Sequence, residues 1–376
     1  MLSLIYKQCY REIGRVALTV LVIAAIIAEM LILEGFLAGM YVQLRNAVLN
    51  RSGDVVVTQA GISNFIAARS ILPQLTRLAV EELEGVREAH PLTALSVIYD
   101  RDGRKTPIII LVYDTAGGPL EIVTGSPIGG EREIVIDRSL AKRYGFTPGD
   151  TITISDFDFR IAGISEKSAA FFTPFAFVTY DDLIDFYLES DIADDIATFP
   201  LLSFLLVETE PGADPAVIAD RIRQEVPAAN AFLPGELAQR DEDLGRELMG
   251  PILGLLLVVS YAIGALVIGM FMFAAVRGRQ RSLGVMRALG FTPRMLGMAV
   301  VIEAGVLTLL ALPLGIALSQ ILATIIHALA PVYLILPTEP AGLVRTAVIC
   351  LALAGLGALA PVRLIAGMDP AMVFRS

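Results

Sequence analysis

The sequence contains no tryptophan, two cysteines and two histidines, and only 18% of its 376 residues are Asp, Glu, Lys or Arg. Soluble proteins carry nearer 25% charged residues. With 55% hydrophobic residues and a mean hydropathy of +0.68, disorder is excluded and an integral membrane chain is indicated. Cys9 and Cys350 give no disulfide framework and are expected as free thiols. His90 and His327 stand far apart, which argues against a histidine-based metal site. The acidic run Asp191, Asp194, Asp195 lacks the interval of a calcium loop and reads as solvated surface. No Gly-x-x-x-x-Gly-Lys-Ser/Thr stretch is present, so the chain has no phosphate-cradling loop of its own. Nor is there a Gly-x-Ser-x-Gly stretch or a Cys/His pair. No catalytic residue, metal or cofactor is expected in this chain. Work driven by nucleotide would have to come from a partner.

What is abundant is apolar length. Crossing the hydrocarbon core takes roughly 20 mostly apolar residues, and four stretches qualify: 16–42, 251–276, 295–329 and 342–364. The third exceeds the need and carries Pro313, an expected kink. The first follows a basic flank of Lys7, Arg11 and Arg15, within an amphipathic segment 1–15. Its length and its lack of a small-residue cleavage site read as a retained helix rather than a cleaved signal.

Basic residues set the orientation. They occur in the N-terminal tail, in the loop 277–294 (Arg277, Arg279, Arg281, Arg287, Arg294) and in the tail 365–376 with the preceding Arg363; the loop 330–341 has none. Both tails and the 277–294 loop are therefore expected in the cytoplasm, with 330–341 and the long segment 43–250 outside. Within residues 45–248 there are 18 Lys and Arg against 33 Asp and Glu. The acidity of the chain therefore belongs to its outside part.

That outside part alternates short β-rich and helical patterns. Residues 53–60 read as a strand, and 72–85 as a helix with Pro73 in its first turn. Residues 93–114 read as a hairpin about Asp102-Gly103. A strand, a short helix stopped by Gly145, a turn and a strand fill 132–155. Residues 159–165 form another strand, and 175–190 a strand running into a helix. In 201–226 a strand leads to Asp214-Pro215, a cap and first-turn proline. The charged stretch 235–249 reads as a helix running on into the second span. The expected fold is an α-helical membrane protein with four transmembrane helices. An extracytoplasmic α+β domain of two subdomains is inserted between helices 1 and 2, its β-rich insertion at about 118–170.

The stretch "RGRQRSLGVMRALGFTPR" (277–294) holds five arginines and no acid. It is short, and Phe291 is its only aromatic, which argues against nucleic-acid binding. Topology alone explains the arginines but not the apolar residues between them. Leu283, Met286 and Leu289 recur every three residues and are read as one apolar face, with Arg281 and Arg287 projecting elsewhere. Such a helix suits either docking on a partner or anchoring on lipid.

Three stretches carry a family resemblance. "RQRSLGVMRALGFTPRMLGMAVVIEAG" (279–305), "PVRLIAGMDPAMVFR" (361–375) and the outside pair "VIDRSLAKRYGFTPGDTITI" and "FRIAGIS" resemble the MacB/FtsX-like permeases of ATP-binding-cassette systems. The layout is similar to the DevC-like exporters. The resemblance implies a permease subunit of the bacterial inner membrane that works as a homodimer. A separate cytoplasmic ATPase dimer would hold ATP and Mg and couple to the helix at 277–294. Mechanotransmission would move the outside domain to export a substrate, with a periplasmic adaptor and an outer-membrane duct. Two relatives share the layout: an FtsX-type relay that activates a cell-wall hydrolase without transport, and a lipoprotein-releasing permease.

Three acids lie inside the spans: Glu29 and Glu34 in the first, Glu303 in the third. Such groups usually face protein or water. Glu34 is expected to sit near the interface, snorkelling or protonated. Glu303 is expected in a buried structural role, and its position resembles a glutamate of the family. Glu29 is the most central, and its candidate role is at a dimer seam or lateral opening. Gly35 and Gly39 allow close helix contact.

Overall fold

The computed structural model describes residues 13–66, 69–170, 172–189, 201–278, 280–359 and 362–363. Cys9, Lys7, Arg11, the acidic run at 191–195, Arg279 and nearly all of the closing stretch 361–375 lie outside them. The chain divides into two compact units: Met1–Ala38 with Gly250–Ile326 and Ile335–Ser376, and Gly39–Met249 with His327–Leu334.

Among the described residues, four helices are long and apolar enough to cross a membrane: α1 (Ile13–Leu49), α6 (Pro234–Arg277), α8 (Pro293–Leu329) and α9 (Pro340–Gly357). Between α6 and α8 lies the short α7 (Gln280–Ala288). Pro313 stands inside α8 without ending it. The core of the helical unit joins Ile23, Ile27 and Met30 of α1 to Met272 of α6, Val300 and Ala311 of α8, and Cys350 of α9. Their opposite faces leave residues such as Leu255, Leu266, Leu310, Ile321 and Val348 exposed. An apolar exterior is what a lipid environment requires of a spanning helix. Gly35 makes a close approach, but to the backbone of Leu336–Pro337 rather than to a second helix. A Cβ there would lie 2.6 Å from Leu336 C, and Leu336 N–H donates to Gly35 O at 2.9 Å.

The second unit is built on one sheet of eleven strands. Along its main path the order is β13 (Ala229–Phe232), β1 (Val55–Gln59), β12 (Phe204–Thr209), β3 (Val86–Arg101), β4 (Arg104–Tyr113), β10 (Thr173–Thr179), β6 (Glu133–Asp137), β8 (Phe157–Ser165) and β5 (Ile122–Gly125). β7 (Thr151–Ile154) pairs with β8 and β9 (Ala169–Ala170) with β10. Only β4/β10 and β6/β8 run parallel in the main path. β2 (Leu72–Pro73) and β11 (Leu201–Leu202) form a separate pair. The expected hairpin is β3/β4, in register from Leu92↔Tyr113 to Arg101↔Arg104. Its two-residue turn holds Asp102 at φ 55° and Gly103 at φ 78°, the two positive values that a twisted hairpin favours.

The helices of this unit obey local chemistry. Asp137 caps α3 (Arg138–Tyr144) by accepting Ser139 N–H at 2.8 Å, and Gly145 closes it in the left-handed region at φ 73°. Asp214 caps α5 (Pro215–Glu225) from Ala216 N–H at 2.9 Å. α2 (Gln74–Glu81) is capped at Pro73, one position earlier than the expected first-turn place. α4 (Tyr180–Glu189) follows β10 directly. Strands from the β-rich middle share a core with β3, β4 and β10 that includes Ile110, Ile134, Phe159 and Phe186. β1, β12 and β13 share another with α5. A third core packs Ala47 and Val48 of α1 and Leu237 and Ala238 of α6 with Phe175, Phe177 and Phe204.

Candidate functional site

Two constellations carry the chemistry: the acids of the helical unit and the short helix α7. Glu34 is 3% exposed. Its Oε1 accepts the Tyr261 hydroxyl of α6 at 2.7 Å and Arg345 Nε of α9, also at 2.7 Å; Arg345 Nη2 meets Oε2. This fork-on-fork, charge-assisted pair is the strong form of a carboxylate–guanidinium contact. The expectation of a snorkelling Glu34 is corrected, because a cation from another helix meets it where it is buried. Glu29, one and a half turns earlier on α1, accepts the Ser260 hydroxyl at 3.0 Å. Neighbouring hydroxyls of α6 thus serve both acids of α1. Glu303 is half-buried on α8.

α7 occupies the expected place between α6 and α8. Gly290 follows it at φ 96°, and Phe291 N–H returns to Met286 O at 3.1 Å. Thr292 Oγ1 accepts Met295 N–H at 3.3 Å, so Thr292 caps α8 and Pro293 opens it. The expected single face of Leu283, Met286 and Leu289 is corrected. Leu283 is 9% exposed and packs in the helical core, with Met286 half-buried against it, whereas Leu289 is 74% exposed. A three-residue repeat falls about 60° short of a full turn per step on an α-helix, so its ends lie about 120° apart. The outward apolar groups are Val285, Leu289 and Phe291. Arg287 is half-buried, and the side chain of Arg281 lies outside the described residues.

Two buried ionic groups of the sheet unit escaped the sequence. Arg51 is 5% exposed. Its Nη1 donates to Gly117 O and Gly118 O, each at 3.1 Å, and its Nε to Ala47 O at 3.2 Å. Its guanidinium stands 4.9 Å from the Phe177 ring centre and 5.5 Å from that of Phe175. Burial lowers its pKa to about 9. Asp241, on the charged part of α6 before the apolar stretch, accepts Phe65 N–H at 3.0 Å. Burial raises its carboxyl to about 7. No sequence pattern marks either group. Arg345 did leave a signal: an arginine inside the fourth apolar stretch calls for a partner as plainly as a glutamate in the first.

The family model for the MacB-like periplasmic core domain matches residues 16–225, and that for the FtsX-like permease C-terminal region matches 254–370. The chain belongs to the MacB/FtsX-type permeases of ABC transporters. The permease is 22% identical over 365 residues to an uncharacterized ABC transporter permease of Mycobacterium tuberculosis, covering 96% of this chain and 95% of that one. A permease of Mycobacterium bovis is 22% identical over 364 residues, with the same coverage. Among solved structures, the periplasmic region of MacB from Actinobacillus actinomycetemcomitans is 11% identical with a TM-score of 0.37. It covers 53% of this chain and 95% of its own. The extracellular domain of the ABC-type transporter YknZ from Gram-positive bacteria is 12% identical with a TM-score of 0.33, covering 48% and 100%. Membership in this family implies a partner ATPase subunit for the permease.

Proposed function

We propose that the permease exports a substrate by mechanotransmission. A separate ATPase dimer holds ATP and Mg and docks beneath α7 on the cytoplasmic side, where both tails also lie. Two copies of the permease assemble, and each passes the movement to its outer domain in the periplasm. That domain is organised as two subdomains, the strands of about 118–170 forming the second. A periplasmic adaptor and an outer-membrane duct receive the cargo. The chain itself is not an enzyme and carries no cofactor.

One observation carries this reading: α7, with Val285 exposed on it and Leu289 exposed directly after its end, sits between two long apolar helices in a chain without a phosphate-cradling loop. An apolar knob beside basic residues is the chemistry of a surface that docks in a partner's groove. The roles of Arg281 and Arg287 in this proposal are to pair with acids of the ATPase. Leu283 and Met286 hold α7 on its own helices. Glu29, Glu34 and Glu303 bind helix to helix, so that movement started at α7 is carried through the bundle.

The test is affinity purification of the tagged chain from its native membrane, followed by mass spectrometry. An ATPase together with a periplasmic adaptor is the expected result. An ATPase with a cell-wall hydrolase overturns export in favour of a signal relay, and an ATPase with lipoproteins favours lipoprotein release.

A further inference from the structure

A cavity of about 730 Å³ opens in the sheet unit, a size suited to a small organic ligand. Its residues all belong to that unit: the start of β4, the outer face of α3, the approach to β10 and the segment Ala328–Tyr333. Arg104, Lys142 and Arg143 line it, and no acid does. This is unusual for its surroundings, since the domain holds nearly two acids per base. Several arginines elsewhere in the domain are matched: Arg77 with Glu81, Arg138 with Glu166, Arg160 with Glu133 and Arg221 with Glu84. Among the described residues, none of the three cavity cations is paired with a carboxylate. Lys142 Nζ lies 3.5 Å from His327 Nε2, and the Arg143 guanidinium stands 5.9 Å from the Tyr144 ring centre.

The remaining lining is apolar. Leu140 contributes from α3, and Phe172 meets Tyr333 edge to face with ring centres 5.2 Å apart. Phe172 holds a backbone φ of 63°, a costly conformation for a bulky residue. The segment bearing Tyr333 is pinned by Gln43 Nε2, which donates to Val332 O at 2.9 Å. Three unmatched cations beside an aromatic pair form a site with one charged and one apolar half.

We propose that this cavity binds the phosphate-bearing head of an amphiphile. The phosphate is held by Arg104, Lys142 and Arg143, and the adjoining apolar part lies on Phe172, Tyr333 and Leu140. Guanidinium groups suit phosphate oxygens by geometry, and Lys adds a point charge. The inference is independent of the proposed export mechanism.

The absence of tryptophan gives a clean probe. Full-length Tyr333→Trp, purified in a non-ionic detergent, carries a single tryptophan at the cavity. Titration with dihexanoyl phosphatidylglycerol is expected to give a saturable fluorescence change. Adding Lys142→Gln and Arg143→Gln should raise the half-saturation concentration at least tenfold. Dihexanoyl phosphatidylcholine, with the same tails and no net charge, should need at least tenfold more, and inorganic phosphate alone should give no saturation in the same range. An equal response to phosphatidylcholine overturns the cationic half. An equal response to inorganic phosphate overturns the amphiphile. An unchanged titration in the Gln variant overturns the site. Should Tyr333→Trp not fold, native mass spectrometry of the chain without that substitution decides. One phosphatidylglycerol retained by the wild type and lost in Lys142→Gln/Arg143→Gln supports the proposal; equal retention overturns it.

Discussion

Glu34 of the helical unit and Arg51 of the sheet unit are both nearly inaccessible, yet they are kept in opposite ways. Glu34 meets a full counter-charge, Arg345, together with a tyrosine hydroxyl. Arg51 meets no carboxylate among the described residues; three carbonyls and two aromatic faces satisfy it. The difference follows from what each region can supply. Spanning helices use their N–H groups internally, so a carboxylate among them needs a side-chain donor. Where α1 ends and the Gly117-Gly118 turn passes, free carbonyls point at one spot, and a guanidinium with five donors can take them all.

The comparison breaks most visibly at Arg345. Arg345→Ala leaves Glu34 buried without a counter-charge, a loss of about 3–5 kcal/mol. Its thermal unfolding in detergent should begin well below that of the wild type, and Glu34→Gln/Arg345→Gln should regain much of the difference. A double variant no better than the single one would show that the pair's charge does not matter. Arg51→Met keeps the apolar stem and orphans three carbonyls, at about 2–3 kcal/mol. Denaturant unfolding followed by near-ultraviolet circular dichroism reads this directly.

A third buried ionisable group, Asp241, sharpens the contrast because a backbone N–H meets it but, among the described residues, no counter-charge does. Its carboxyl is raised to about 7 by burial, so the folded state binds its proton more tightly than the unfolded state. Stability from this group is therefore greatest at low pH and declines as pH rises between about 4 and about 7. From pH 5.5 to pH 8 the wild type should lose about 2 kcal/mol that Asp241→Asn does not lose. A parallel pH profile for the two proteins would remove Asp241 from consideration. The smallest effect is expected at the exposed pair Glu236–Arg240, four residues apart on α6 with 2.9 Å between charges. Glu236→Ala should change stability by less than about 0.5 kcal/mol.

The spans were legible because length and apolarity leave few alternatives, and the β3/β4 hairpin because Asp102-Gly103 fixes its turn. The caps at Asp137 and Asp214 were legible for the same local reason. Long-range pairing was not: nothing local tells β10 to join β4 to β6, or β12 to lie between β1 and β3. The middle strands, which read as an insertion, lie in one sheet with their neighbours, a pairing that no local signal announces. At the site, Glu29 and Glu34 stood out as acids in apolar runs. Arg345, Tyr261 and Ser260 lie more than 220 positions away, and their partnership needed the fold. The face of α7 was misjudged for a geometric reason, a three-residue repeat read as if it did not rotate.

Docking at α7 is testable at a single residue. Leu289 is exposed and outside the core, whereas Leu283 is within it, so Leu289→Asp should leave insertion and stability unchanged. The decisive measurement is the amount of ATPase subunit retained, and its ATP turnover, on tagged wild-type and Leu289→Asp permease purified side by side from native membranes. At least a tenfold loss of retained ATPase, with equal permease in the membrane, is predicted. Equal retention and turnover would contradict docking at α7.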